Sequence, residues 1–529
     1  MNLLKNCWQR RWIRGLVWTS VSIGTGYGLL CAWVNWSGAR QLNATLAMIK
    51  AEGESLDFRA TFPEPVPDAE NFCAIPLLKD LALVVDNDVN KGVPGEKRKR
   101  LEELKLPENR RGGTPLERPA LPRAGLGQPI ALNTWADWLR EERPNRETAD
   151  SGNAARQVLA ALAKHDPIVQ ELVGGLGRAH ARWTPEWKTR ELPKLLFNIP
   201  LPHYPSENNM TKALSLRAVA AARAGDGSRA HEAVRIFTRL NEATWNEPFA
   251  IGALVASAGT FSLCGVTWEL CRVGAGTAGD FRELETALAR IDIRRSGLQM
   301  FRSEIAGSFN YTQQLLLQSE SRREVFRILS PVSTDSDRTF TKILELLSPA
   351  IPAGFFEANT SVILDRQIRH LLLPLRDQGW LAVIQGVKEM NNEILGIQGH
   401  LWRRPTLFFA NISLPVITRV VWSMAHTEAL TAQAAIACAL ERHRIEKGEY
   451  PETLGSLTLA DGRPLPNDVM TGQPMRYRRE ANGRYTLWSV GFDGKDDDGK
   501  RNLDPKNAEA TRFFNADYVG DWVWDFPAK

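Results

Sequence analysis

The stretch Ala439-Leu440-Glu441-Arg442-His443-Arg444-Ile445-Glu446-Lys447-Gly448-Glu449-Tyr450-Pro451 ends a helix and opens a strand-rich tail. Upstream, Leu430, Ile436, Ala439 and Leu440 give residues 418–447 an apolar stripe. Ala429, Ala432, Ala434, Ala435, Ala437 and Ala439 keep that helix slim enough to lie close on a sheet. Gly448 suits a helix stop, and Pro451 discourages continuation. Downstream, Met475 and Tyr477 alternate with arginines, Asn482-Gly483 has the chemistry of a hairpin turn, and Tyr485, Leu487 and Ser489 alternate with Thr486 and Trp488. Trp522-Val523-Trp524 reads as a last short strand. Residues 418–529 are therefore expected to form a small α+β unit, a helix on an antiparallel sheet.

Residues 131–417 carry a helical pattern. Ala230, Val234, Phe237 and Leu240 recur at three-and-four spacing, after the turn Gly225-Asp226-Gly227 and an alanine-rich helix from Thr211 to Arg223. This resembles one tetratricopeptide hairpin, but no second copy follows about 34 residues on. A mainly α chain, with a helical bundle or irregular solenoid here, is expected instead. Pro248 to Trp268 carries no charge and is long enough to cross a bilayer. Its wealth of Gly, Ala, Ser and Thr favours a helix buried in the bundle. The run Gly274-Ala275-Gly276-Thr277-Ala278-Gly279 lacks the preceding strand that a dinucleotide loop needs, so it is read as an interhelical connection.

At the other end, Lys5, Arg10, Arg11 and Arg14 (within residues 1–14) precede an uncharged run over residues 15–39, flanked by Trp12 and Trp18 on one side and Trp33 and Trp36 on the other. Length, aromatic belts and the basic flank predict one transmembrane helix with a cytoplasmic N-terminus and the bulk of the chain extracytoplasmic. A cleaved signal peptide is the competing reading, with Ser37-Gly38-Ala39 as its cleavage site, but the run exceeds the usual apolar region of about 7–15 residues. Residues 40–130 are read as a juxtamembrane segment followed, from Lys91 to about Gln128, by a Pro-, Gly- and Lys/Arg-rich linker.

Composition excludes more than it selects. The 529 residues exceed one compact core, and 43% apolar with 24% charged residues is ordinary for a folded protein. A net charge of +5 argues for no nucleic-acid partner. The six cysteines show no Cys-x-x-Cys pair, the eight histidines no ligand-like pairing, and no Gly-x-Ser-x-Gly, His-Glu-x-x-His or phosphate-loop motif occurs. His426 and His443, on the helix that leads into the tail, are read as packed or half-exposed.

The one local metal signal is Ser489-Val490-Gly491-Phe492-Asp493-Gly494-Lys495-Asp496-Asp497-Asp498-Gly499. Asp493, Asp496, Asp497 and Asp498 are set among glycines that let carbonyls turn inward, a donor set that suits calcium, which takes about 6–8 oxygen ligands. Lys495, Lys500 and Arg501 weaken the anionic field, and the spacing is not that of an EF-hand.

Glu449-Tyr450-Pro451-Glu452-Thr453-Leu454, Leu465-Pro466-Asn467-Asp468, Thr471-Gly472-Gln473-Pro474-Met475-Arg476-Tyr477, Tyr485-Thr486-Leu487-Trp488-Ser489-Val490-Gly491 and Asp493-Gly494 together resemble the globular domain of type II secretion major pseudopilins. Gly520-Asp521-Trp522-Val523-Trp524 resembles that family's closing strand. The resemblance covers about Thr427 to Trp524 and implies a pseudopilin-like domain with calcium in the Asp493–Asp498 loop. The N-terminal run departs from the family: it lacks the early glutamate and the prepilin cleavage pattern, and a long stretch separates it from the tail. The whole chain resembles single-span bacterial envelope proteins. Two functional classes follow: a membrane-anchored, non-enzymatic interaction or structural protein with envelope partners, associated with secretion or pilus-like machinery, or an extracytoplasmic hydrolase or carbohydrate-active enzyme whose paired carboxylates converge from distant positions.

Overall fold

The computed structural model describes residues 11–82, 95–107, 119–121, 129–141, 153–183, 201–317, 322–323, 342, 345–395, 408–501 and 520–526. Its helices are α1 (Arg11–Ala51), α2 (Gly95–Glu102), α3 (Leu132–Glu141), α4 (Ala154–Leu162), α5 (Asp166–Val173), α6 (His203–Arg223), α7 (Gly227–Trp245), α8 (Ala250–Val273), α9 (Ala278–Leu288), α10 (Ile293–Leu317), α11 (Ala353–Gln367), α12 (Leu373–Asp377), α13 (Trp380–Leu395) and α14 (Phe408–Lys447). Three short strands, β1 (Arg476–Arg479), β2 (Tyr485–Ser489) and β3 (Trp522–Trp524), form one sheet in that order. The chain is thus mainly α with a small antiparallel sheet, and the long apolar N-terminal helix is present.

Helix α1 runs straight through the boundary expected at Ala39. Leu42, Thr45 and Ile49 continue its periodicity and are buried against α11, with the Thr45 hydroxyl 2.8 Å from that of Ser361. Gly38 and Gly354 let the two backbones touch, and the Gly354 N–H donates to Asn35 Oδ1 at 2.8 Å. The preceding part of α1 is bare: Trp12, Trp18, Trp33 and Trp36 are 61%, 64%, 63% and 61% exposed.

The linker expected from Lys91 to Gln128 lies mostly outside the described residues. Where it is described it is not a solvated chain: α2 carries the basic run, and Leu101, Leu104 and Leu106 behind it are buried in the main core. Those leucines outweigh the charges because Lys99 stays in water while the apolar side docks.

Helices α6 and α7 form the expected hairpin, closed by Gly225 at φ 84° and by Asp226 Oδ1, which accepts from the Arg229 N–H at 3.0 Å. Ala230, Val234, Phe237 and Leu240 are buried. Helix α6 begins at His203, well before Thr211, with Pro205 in its first turn, where the missing N–H costs nothing. Helix α8 lies inside the bundle against α6, α7 and α14, and 61% of its most apolar window is buried. It ends as the interhelical reading of the glycine run requires. Gly274 takes φ 66°, Ala275 N–H returns to the Leu270 carbonyl at 3.0 Å, and Thr277 with Asp280 forms a capping box for α9.

After α11 the chain widens into a π-turn at Ile368–Leu372. Pro374 has no N–H for the His370 carbonyl and its ring crowds it. The displaced carbonyl packs where a Cβ on Gly386 of α13 would stand.

Helix α14 starts at Phe408, earlier than the expected 418, and is buried on nearly every side. Its alanine stripe faces β2 on one side and α8 and α9 on the other. The sheet hangs from it: Gln433 Nε2 donates to the Trp522 carbonyl at 2.6 Å, and Trp268 of α8 donates to the Asp525 carbonyl at 2.7 Å. In register, Tyr477 pairs with Leu487 and Leu487 with Trp524. The hairpin turns at Asn482-Gly483, with Gly483 at φ 75°. One continuous apolar core runs from Leu42 to Phe526 through both the helical body and the sheet.

Candidate functional site

The acidic loop leaves β2 through Gly491 (φ 68°) and turns at Gly494, Asp498 and Gly499, all with positive φ. It divides its four aspartates into two pairs. Asp496 and Asp498 face the arginines of β1: Arg476 Nε lies 2.9 Å from Asp496 Oδ2, and Arg478 Nη1 lies 2.8 Å from Asp498 Oδ1. Asp496 Oδ1 also accepts from the Trp488 indole N–H at 3.0 Å and the Asp498 N–H at 3.1 Å. The indole N–H, followed by that backbone N–H and Arg476, holds Asp496 below the usual carboxylate range. Asp493 and Asp497 point inward. Asp493 Oδ1 accepts from the Lys495 N–H at 3.1 Å, while Asp493 Oδ2 and Asp497 Oδ2 are buried without a hydrogen-bond partner.

Two further aspartates shape this loop. Asp521, just before β3, accepts from the Asp497 N–H at 3.1 Å and the Gly499 N–H at 2.7 Å. Burial, with the charges of Asp496 and Asp497 adding to it, pushes Asp521 up to about 6 despite those two N–H donors. Asp468 accepts from the Ser489 hydroxyl at 2.7 Å and from the Met470 and Val490 N–H groups at 2.9 and 3.1 Å. Neither stood out as a site residue in the sequence, because each acts across more than twenty positions of chain; their signal was confined to the segments that carry the pseudopilin resemblance.

Two orphaned carboxylate oxygens beside a third acidic group are what a hard cation would satisfy, since a buried acceptor without a donor costs about 1–3 kcal/mol. The other half of the donor set does not fit: Arg476 and Arg478 already neutralise Asp496 and Asp498. Among the described residues no group of three or more His, Cys, Asp or Glu side chains is arranged to hold a metal ion. The fit to calcium is therefore confined to Asp493 and Asp497.

A second polar cluster sits inside the helical body. His203 Nε2 lies 3.0 Å from Glu247 Oε2, and both side chains are buried. Trp183 Nε1 donates to the Thr244 hydroxyl at 3.0 Å, and that hydroxyl donates to Glu207. Burial pushes Glu207 up to about 8, with the charge of Glu247 reinforcing it and the Thr244 hydroxyl opposing it. Burial likewise raises the Tyr204 phenol, whose oxygen crowds Gly252. Two carboxyl groups, an imidazole and a phenol thus converge from α6 and the end of α7, but Glu207 and Glu247 are only 2% and 5% exposed. The histidines of α14 do no comparable work: His426 stacks 4.2 Å from Trp522 and 5.1 Å from Phe261, as a packed core ring.

Comparison with known proteins finds no family model, curated protein or solved structure that matches this chain.

Proposed function

We propose that this chain is a membrane-anchored extracytoplasmic protein with a non-enzymatic, interaction or structural role, working with envelope partners of secretion or pilus-like machinery. The observation that carries the anchoring is α1, whose apolar first part is bare while its last part is packed into the body. At about 1.5 Å per residue its length is near 60 Å, twice a hydrocarbon core of about 30 Å, so one helix serves both. The basic N-terminal flank supports a cytoplasmic N-terminus and a periplasmic body. Fractionation of a bacterial host, with protease added outside the inner membrane, tests this. The body should be degraded only after the outer membrane is opened, with the protein in the membrane pellet; recovery of the body in the cytosol, or of a soluble chain lacking α1, would sink the reading.

The pseudopilin-like reading of residues 418–529 rests on the helix, hairpin and closing strand in the expected order, and calcium on the two orphaned oxygens of Asp493 and Asp497. Because α14 is buried by the body as well as by the sheet, the full chain in detergent is the proper sample. Millimolar calcium should raise its Tm, magnesium less, and Asp497→Ala should abolish the shift. An unchanged Tm removes calcium. The enzyme alternative would draw on Glu207 and Glu247; their burial beneath packed helices makes the interaction reading the better supported.

A further inference from the structure

Where the body meets the tail, a pocket of about 280 Å³ is lined by Cys271, Arg272, Val273, Gly274, Arg444, Tyr450, Gly483 and Arg484. Three arginines reach it from three elements: the last turn of α8, the last turn of α14, and the turn between β1 and β2. We propose that this pocket binds a small molecule through an oxyanion, a phosphate or carboxylate group held by Arg272, Arg444 and Arg484.

Each guanidinium is fixed before any ligand arrives. Arg272 donates from Nε to Glu269 Oε2 at 3.0 Å and lies 5.8 Å over the Trp268 ring. Arg444 donates from Nε to Glu441 Oε2 at 2.9 Å and lies 5.9 Å over Tyr450. Arg484 Nη2 donates to the Arg272 carbonyl at 3.1 Å, and its guanidinium lies 5.2 Å over Phe526. A guanidinium has five N–H donors in a planar fork, so each keeps donors beyond those already used. Fork geometry matches two-oxygen acceptors, and preorganised side chains lose little rotamer freedom on binding.

The charge balance favours an anion. Glu269 and Glu441 are the carboxylates on these arginines, and Glu269 also holds Arg223 at 2.6 Å. Four arginines thus share two carboxylates. Arg484 brings a full charge with only a carbonyl and a ring for partners. The carbonyls at the end of α8, which would otherwise repel an anion, are taken by the N–H groups of Gly274 and Ala275. The pocket is at the small end of the usual range of about 300–1,000 Å³ for ligand sites, which suits a compact anion.

The test uses the full chain in detergent with inorganic phosphate, pyrophosphate and citrate as probes, each against sodium chloride of equal ionic strength. Phosphate also stabilises proteins non-specifically by exclusion from their surfaces, so the variant decides. Arg484→Gln leaves no buried carboxylate unpaired and should fold. Equilibrium dialysis with labelled phosphate and pyrophosphate should show saturable retention by the native chain, weakened about tenfold or more in Arg484→Gln, the usual effect of losing a charged hydrogen bond. Arg478→Gln, at the acidic loop, should bind as the native chain does. Arg444→Lys keeps the charge but loses the fork and should weaken binding too. Tighter binding of citrate than phosphate would assign the site to carboxylates. Retention of no probe, or retention unchanged in Arg484→Gln, overturns the proposal.

Discussion

At the residue scale the body stores an uncommon protonation state. Glu207 is surrounded by His203, Tyr204, Thr244 and Glu247, and burial raises its carboxyl to about 8. A raised folded-state pKa means that the native chain binds a proton the unfolded chain has released, so this group's contribution is full below the ordinary value of 4.5 and is lost as pH rises through about 8. Glu207→Gln keeps the shape without the charge. It should match the native Tm near pH 5 and exceed it near pH 9, with a stability gain of at least about 1 kcal/mol there, since a tenfold change in proton affinity is worth about 1.4 kcal/mol. A parallel pH profile for the two proteins would show that Glu207 titrates normally. None of this was visible in the sequence: Glu207 and Glu247 lie on different helices, and their meeting depends on how α6, α7 and α8 pack, which periodicity does not fix. The acidic loop was visible as composition, yet its partition was not, because Arg476 and Arg478 reach it from the neighbouring strand.

At the scale of elements, local chemistry and tertiary packing divide the credit. Asn482-Gly483 and period-two alternation made β1 and β2 legible, the Trp522–Trp524 strand lay where expected, and the stops at Gly274 and Gly448 follow from glycine's freedom at positive φ. What was missed is continuity. The polar residues from Arg40 onward suggested the end of α1, whereas Leu42, Thr45 and Ile49 carry its buried face onward against α11. That contact gives a clear prediction. Gly38 and Gly354 touch backbone to backbone, so Gly38→Leu must push the two helices apart. Overpacking of this kind costs about 1–3 kcal/mol. Its effect should appear as a lower Tm of the body and faster amide exchange in 353–367, with α1 still helical and still in the membrane fraction. Gly24→Leu, with open space around it, should change neither.

For the whole molecule, the seating of α1 sets how closely the body approaches the bilayer. The Tyr27 hydroxyl donates to the Ala350 carbonyl, and the neighbouring Leu346 and Leu347 are 73% and 51% exposed. A hydrocarbon core of about 30 Å that begins at Trp12 ends near Trp33, and Tyr27 lies about 9 Å short of that end. Ala350 must then sit at the membrane's outer edge, and two bare leucines beside it are in lipid rather than water. In water each would leave apolar surface exposed at about 25 cal/mol per Å². Cys73, Cys264, Cys271 and Cys438 are buried, so with Cys7→Ser and Cys31→Ser a single introduced thiol can be labelled selectively. In reconstituted vesicles, a dye on Leu346→Cys should be quenched by lipids brominated in their acyl chains and shielded from aqueous iodide. The same dye on Lys495→Cys should behave in the opposite way. Equal iodide quenching at the two positions would place the body clear of the bilayer, held there by α1 alone.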